Sequence, residues 1–171
     1  PKISQTLNKN KLLNLLPNHD GWIAGDDKIN ERIIKIASKK KLKAIVKWGV
    51  GIDNFDIKLI KKYGLKFSNI PNMFGNEVAN VAICYLLGLA TNSFFIDRNI
   101  RRGFWKKPNS RTLKHKNLGI IGYGDIGKNI YKRAKVFGLN IFVWDKYKKK
   151  LKNNLSKKII NWPKKINKCD F

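Results

Sequence analysis

An α/β fold built on a parallel sheet is predicted by two features of the sequence. Short apolar runs of strand length, at Gly21–Ala24 and at residues 44–48, 65–70, 118–121 and 141–144, alternate with segments of helical periodicity. That alternation, with connections long enough to hold a helix, is the pattern of parallel strands joined by crossovers. Two of the strands also run directly into glycine turns, Gly49-Val50-Gly51 and Gly122-Tyr123-Gly124. No internal repeat is present beyond the alternation itself.

The first element is a short helix within residues 7–16, rich in leucine (Leu12, Leu13, Leu15, Leu16) and ended by Pro17. The strand at Gly21–Ala24 leads into a turn holding Asp26 and Asp27. Asn30 is placed to cap a helix that carries Ile33, Ile34, Ile36 and Ala37 on its apolar face. The strand at 44–48 enters the second glycine-bearing stretch, Gly49-Val50-Gly51-Ile52-Asp53-Asn54. A helix over residues 56–63 closes at Gly64, and the strand at 65–70 ends at Pro71.

From Val78 to Ile96 the chain is uncharged, a length that raises the question of a membrane span. Asn80, Thr91, Asn92 and Ser93 interrupt it and no second such stretch accompanies it, so the prediction is a helix buried between domains and no membrane partner. Residues 92–115 turn polar and basic, with Gly103 and Pro108, and read as the handover from one domain to the next. Residues 146–168 are lysine-rich and weakly patterned, with Trp162-Pro163 opening a short helix.

Residues 116–145, KNLGIIGYGDIGKNIYKRAKVFGLNIFVWD, carry the most specific chemistry. Gly122-Tyr123-Gly124-Asp125-Ile126-Gly127 fits G-x-G-x-x-G and follows a strand. Ile126, Ile130, Ala134 and Phe137 then recur at helical spacing, and Gly138 stands where a helix-ending glycine belongs. Gly122 permits the sharp turn, Gly124 leaves the backbone open to a pyrophosphate, and Gly127 lets helix and strand approach closely. The helix start offers free N–H groups and the positive end of its dipole to the phosphates. Asp145 closes the next strand at close to the roughly 20-residue spacing of the carboxylate that binds the adenosine ribose hydroxyls. Strand, turn, helix, strand and acid in register are the context that makes this motif a dinucleotide site. A carboxylate at the ribose repels a 2′-phosphate, which favours NAD over NADP; Lys146 and the lysines at 148–150 soften that preference.

The chain has a net charge of +26, a balance often seen in nucleic-acid-binding proteins. The stretch that would serve, with Arg101, Arg102, Lys106, Lys107 and Arg111 around Phe104 and Trp105, is one part of a lysine surplus spread along the whole chain. No nucleic-acid partner is therefore predicted. Cys84 and Cys169, the two cysteines, are too far apart to suggest a disulfide framework or metal cluster. With no secretory signal visible, a cytoplasmic location without metal is the expectation. Both ends of the chain read as internal: it starts at Pro1, and a further strand is beginning at Cys169-Asp170-Phe171.

Two separated stretches resemble one family. The first is Lys47-Trp48-Gly49-Val50-Gly51-Ile52-Asp53-Asn54-Phe55-Asp56, continued by Tyr63-Gly64-Leu65 and Asn69-Ile70-Pro71; the second is Gly103-Phe104-Trp105 followed by the nucleotide fingerprint and Trp144-Asp145. Together they are similar to the NAD-dependent dehydrogenases specific for D-isomers of 2-hydroxy acids, the group that includes D-3-phosphoglycerate dehydrogenase. The resemblance implies a partial flavodoxin-like substrate domain over residues 1–92, lacking its first strand, and a truncated Rossmann-type NAD-binding domain over 93–171. It implies that Gly49, Val50 and Gly51 bind the substrate carboxylate, with Val50 also touching the nicotinamide end of the cofactor. Gly122, Tyr123, Gly124, Asp125, Ile126, Gly127 and Asp145 would hold NAD, with Asp125 and Ile126 lining the pyrophosphate.

The implied reaction is oxidoreduction of the CH–OH group of a small D-2-hydroxy acid or its 2-keto counterpart by a homodimer. A 3-phosphoglycerate dehydrogenase-like enzyme comes first, a glyoxylate or hydroxypyruvate reductase or D-lactate dehydrogenase second, and a non-catalytic NAD(H)-sensing protein is the alternative from another class. The family's catalytic Arg, Glu and His lie in motifs beyond these 171 residues, so no catalytic residue is assigned and the chain by itself is expected to be inactive. His19 and His115, the two histidines, read as surface residues. The chain departs from the family at Asn80, where an acid is usual, at Thr91, and at Phe74-Gly75-Asn76-Glu77, where a serine-rich helix start is usual.

Overall fold

The computed structural model describes residues 6–147 and 159–171; the lysines at 148–150 lie outside the described residues. The chain forms two compact units, Pro1–Met73 and Phe74–Phe171.

The first unit is a three-stranded parallel sheet, β1 (Gly21–Ala24), β2 (Ala44–Lys47) and β3 (Lys66–Ser68), in the order β1-β2-β3. Ala44 pairs with Gly21 on one side and Lys66 on the other. The helices α1 (Lys9–Leu15), α2 (Glu31–Ser38) and α3 (Ile57–Lys62) are each started by a side-chain cap. Asn8, Asn30 and Asp56 accept from the N–H three residues on, at 2.9, 3.0 and 2.9 Å, contacts worth about 1 kcal/mol apiece. Leu12, Leu16, Ile33, Ile34, Ala37, Ile45 and Ile60 form the core of this unit, joined by Phe55. Ile36, expected on the apolar face of α2, is 37% exposed. Three helices and three strands thus lie where the sequence pattern predicted them, with shifts of a residue or two at their ends.

In the second unit, the uncharged stretch forms two helices rather than one. The helix α4 (Gly75–Thr91) stops at Asn92, whose left-handed backbone (φ 59°) starts α5 (Ser93–Arg101) at a 73° bend. The residues after α5, expected together with it as a polar linker, are tied back to the end of α4: Asn92 Nδ2 donates to Asn109 O at 2.8 Å and Arg111 N to Ala90 O at 2.7 Å. No single helix among the described residues is long and apolar enough to cross a membrane.

The strands β4 (Asn117–Ile121) and β5 (Asn140–Trp144) pair in parallel across α6 (Asp125–Val136). Two further segments extend this pair. Ile159 bridges Val143 in parallel. On the other side Gly119 N donates to Phe171 O at 2.9 Å and Phe171 N to Asn117 O at 3.2 Å, the bonding of a parallel ladder. The sheet itself has two strands, and these contacts flank it in the lateral order Ile159, β5, β4, Phe171, the order in which a Rossmann sheet places its first four strands. Cys169-Asp170-Phe171, where a strand was expected, forms no regular strand; its last two residues bond along the edge of β4. Trp162-Pro163 passes through a turn before a single 3-10 turn at Ile166–Lys168, short of the helix expected there. The core of this unit gathers Ile83, Leu86, Leu118, Ile120, Ala134 and Val143.

Candidate cofactor and substrate turns

At the C-terminal end of β4 the chain turns at Gly122, whose φ of +96° is accessible to glycine at little cost. Gly122 N donates to Trp144 O at 2.7 Å, which locks the turn to the end of β5. Gly124 is the cap residue of α6, in extended backbone, and a methyl group built on it would meet nothing within 4 Å. Gly127 is different: its Cβ would fall 2.0 Å from Gly122 O and 3.5 Å from Ile120 Cγ2. The first turn of α6 thus packs directly on the backbone it has just left. Its opening N–H groups have no intrahelical acceptor and project past Gly124.

Asp145 stands at the end of β5. Its Oδ2 accepts from Tyr123 N at 2.6 Å and its Oδ1 from Tyr147 N at 2.7 Å. Two of the roughly four lone-pair positions of the carboxylate are thereby used to orient it, and the others remain for hydroxyl donors. The Tyr123 ring is buried and meets Tyr131 edge-on at 5.7 Å between centroids. Burial, with Tyr131 beside it, pushes the Tyr123 phenol above its ordinary pKa. Asp125 is half-buried and Ile126 exposed. The residues of the predicted dinucleotide site are thus brought together, with Tyr123 fastened to Asp145 through its own N–H. A glycine opening, a helix start and an oriented carboxylate fit a dinucleotide.

At the end of β2 the second turn has its own anchoring. Trp48 N donates to Ala24 O at 2.8 Å, Ile70 N to Gly49 O at 3.2 Å and Asn69 Nδ2 to Val50 O at 2.8 Å. The carbonyls of Gly49 and Val50 are therefore occupied, whereas the N–H groups of Val50 and Gly51 have no acceptor among the described residues. A loop with paired carbonyls and open amides suits an anion. Gly49 has φ +153°, and Gly51 is exposed with only Asp53 Oδ2 within 4 Å of a built Cβ, at 3.8 Å.

Three residues to which sequence reasoning gave no role tie the residues flanking this loop to the turn after β1. Lys47 is buried, and its Nζ donates to Gly25 O and Asp26 Oδ1, both at 2.6 Å. Asn54 Nδ2 bonds Gly25 O and Asp27 O, while the buried Asp27 accepts from Leu7 N and Gly25 N. A lysine ending an otherwise apolar strand was the signal in the sequence. His19 and His115 are both exposed.

Known proteins bear on this geometry directly. The family model described as D-isomer specific 2-hydroxyacid dehydrogenase, NAD binding domain, matches residues 83–171. The chain belongs to that family. It is 32% identical over 145 residues to a hydroxypyruvate reductase of Thermotoga maritima, covering 83% of this chain and 47% of the relative. A glyoxylate reductase of Thermococcus litoralis is 35% identical over 132 residues, covering 72% of this chain and 39% of the relative. Among solved structures, the NAD+-bound 3-phosphoglycerate dehydrogenase of Entamoeba histolytica superposes with a TM-score of 0.67 at 31% identity, over 86% of this chain and 44% of that one. The chain spans less than half the length of these relatives. NAD is the cofactor of this dehydrogenase domain, as the fingerprint and Asp145 indicated.

Proposed function

We propose that the protein is an NAD-dependent oxidoreductase acting on a small D-2-hydroxy acid or its 2-keto counterpart. The observation that carries the reading is the presence in one chain of two anchored glycine turns, one in each unit, one suited to a dinucleotide and one with open amides suited to a carboxylate. In this reading residues 1–92 serve the substrate and 93–171 the cofactor, although α4 packs within the second unit. Gly49, Val50 and Gly51 hold the substrate carboxylate through backbone N–H groups, and Val50 touches the nicotinamide end. Gly122, Gly124 and Gly127 shape the phosphate turn, Asp125 and Ile126 contribute backbone at the pyrophosphate, and Tyr123 steadies Asp145, which takes the ribose hydroxyls.

Bound NAD accepts or donates the hydride. This chain's own residues bind, orient and exclude the 2′-phosphate form; proton transfer and the grip on the substrate carbonyl are assigned to groups outside its two turns. Isolated, the 171 residues are expected to bind NAD without turnover. The intact protein is read as a cytoplasmic homodimer: Cys84 and Cys169 are both free thiols, and Trp105, 85% exposed, supplies apolar surface that a second copy would cover.

The substrate is read first as 3-phosphoglycerate. Glyoxylate or hydroxypyruvate is the second reading, favoured by the names of the two curated relatives. The test is NADH oxidation by the intact protein with glyoxylate, hydroxypyruvate and D-lactate's keto acid, and NAD reduction with 3-phosphoglycerate. Turnover of one of them at least tenfold above the rest fixes the substrate; NAD binding with no turnover of any would support the NAD(H)-sensing alternative.

A further inference from the structure

Asp125 puts a negative charge in the first turn of α6, the very turn that receives the phosphates. The structure shows where that charge goes. The carboxylate lies against the backbone of Gly75, the buried first residue of α4: a methyl group on Gly75 would sit 2.0 Å from Oδ2, 2.4 Å from Cγ and 2.7 Å from Oδ1. Oδ1 also accepts from Asn129 Nδ2 at 3.1 Å, one turn further along α6. The side chain therefore folds back along the flank of α6 toward α4 rather than forward off the helix end. There it meets the positive end of the α4 dipole.

The berth is held by a polar clasp between the two helices. Arg133, one more turn along α6, donates from Nη1 to Asn129 O at 3.1 Å, from Nε to Asn80 Oδ1 at 2.9 Å and from Nη2 to Asn76 Oδ1 at 3.2 Å. Asn76 and Asn80 lie on the opening turns of α4, beside Gly75. Two departures from the family pattern, at residues 74–77 and at Asn80, thus fall on the opening turns of α4, where Asp125 lies against Gly75 and Arg133 holds Asn76 and Asn80.

We propose that Gly75 is a positioning residue for cofactor binding: its missing side chain gives the Asp125 carboxylate a berth on α4, away from the pyrophosphate. Any side chain at position 75 displaces the carboxylate, and the free direction is toward the phosphates. The inference rests on the reading of the Gly122–Gly127 turn as the NAD site.

The experiment is a double-mutant cycle in the intact protein, with calorimetric Kd values for NAD and for adenosine, which lacks phosphate. Gly75→Ala is expected to weaken NAD by about tenfold, which is about 1.4 kcal/mol, and to leave adenosine unchanged. Asp125→Asn is expected to recover most of that loss in the Gly75→Ala background, and to gain far less in the native one. Asn129→Ala, which removes that side chain's bonds to Asp125 and Arg133 but keeps Arg133's bonds to Asn76 and Asn80, is expected to weaken NAD severalfold and spare adenosine. It decides the matter if circular dichroism shows Gly75→Ala unfolded. The proposal is overturned by equal losses for NAD and adenosine, by a loss that Asp125→Asn does not relieve, by an unchanged NAD affinity in both Gly75→Ala and Asn129→Ala, or by a native Asp125→Asn that tightens NAD as much as the mutant one. A native protein that binds adenosine but not NAD would overturn the site assignment itself.

Discussion

In the turn after β4, a side chain at Gly127 would strike the carbonyl oxygen of Gly122 at 2.0 Å, so the protein's own backbone explains that glycine. In the turn after β2, a side chain at Gly51 would meet only the carboxylate of Asp53, at an ordinary 3.8 Å. Gly124 sits inside the first turn but behaves like Gly51, with nothing within 4 Å. Some glycines in these turns are thus required by the fold, and others leave a space that the fold does not use. The second kind points at a ligand. A glycine whose Cβ would be free, beside N–H groups without acceptors, is where a phosphate or carboxylate comes closest to the backbone.

The comparison is broken most forcefully at Gly127. Gly127→Ala places a methyl group inside contact distance of main-chain atoms that cannot swing aside. The expected cost is about 1–3 kcal/mol of stability, the range for overpacked cores, together with loss of NAD binding. Thermal unfolding and NAD titration check both. If Gly127→Ala melts with the native protein, close packing of α6 on the turn is not what fixes the glycine.

Gly124→Ala sharpens the contrast, because it separates binding from folding. Its backbone is extended (φ −73°, ψ −157°), so alanine fits without strain, and the open space predicts a melting temperature close to native. NAD affinity is nevertheless expected to fall by about tenfold, equivalent to about 1.4 kcal/mol. A Gly124→Ala protein with native NAD affinity would leave the open space unexplained.

How much of this was legible in the sequence follows the same division. The strand-turn-helix-strand unit that carries the fingerprint glycines and Asp145 was legible because its spacing specifies such a unit. One helix start was also legible, since Asn30 advertises its own capping bond, whereas Asp56, read as the first helical residue, is the cap. The break at Asn92 was not: it depends on one residue adopting a left-handed backbone and on Asn109 and Arg111 returning to the end of α4, contacts between residues far apart in sequence. Lys47 was hidden for a similar reason. Its partners Gly25 and Asp26 belong to the loop after the neighbouring strand, and only strand pairing brings them within reach. The Asp125–Gly75 contact likewise required α4 to pack on α6.

Gly51→Ala carries the contrast into the other turn. The fold and NAD binding are both expected to stay native, while the KM for the 2-keto acid rises by several-fold, about 1 kcal/mol of lost carboxylate binding. Steady-state kinetics of the intact enzyme separate KM from kcat. A change confined to kcat would mean that the open amides of Val50 and Gly51 do not hold the ground-state substrate.

The smallest effect concerns how firmly the first turn is held. Tyr123 links the turn to Asp145 through its N–H and buries its ring against Tyr131. Burial raises the phenol's pKa above the unfolded value of 10.0. For a group shifted this way, the fold favours the protonated form. The stabilisation is complete below the unfolded pKa and is lost as pH rises past it and through the higher folded pKa. Tyr123→Phe removes that titration while keeping the ring. Lysines titrate in the same range, but equally in both proteins, so the informative quantity is the difference in melting temperature between Tyr123→Phe and native. It is expected to be flat up to about pH 9.5 and then to move in favour of the variant. A difference that stays flat to pH 11 would mean that the buried ring does not distinguish this turn from its open counterpart after β2.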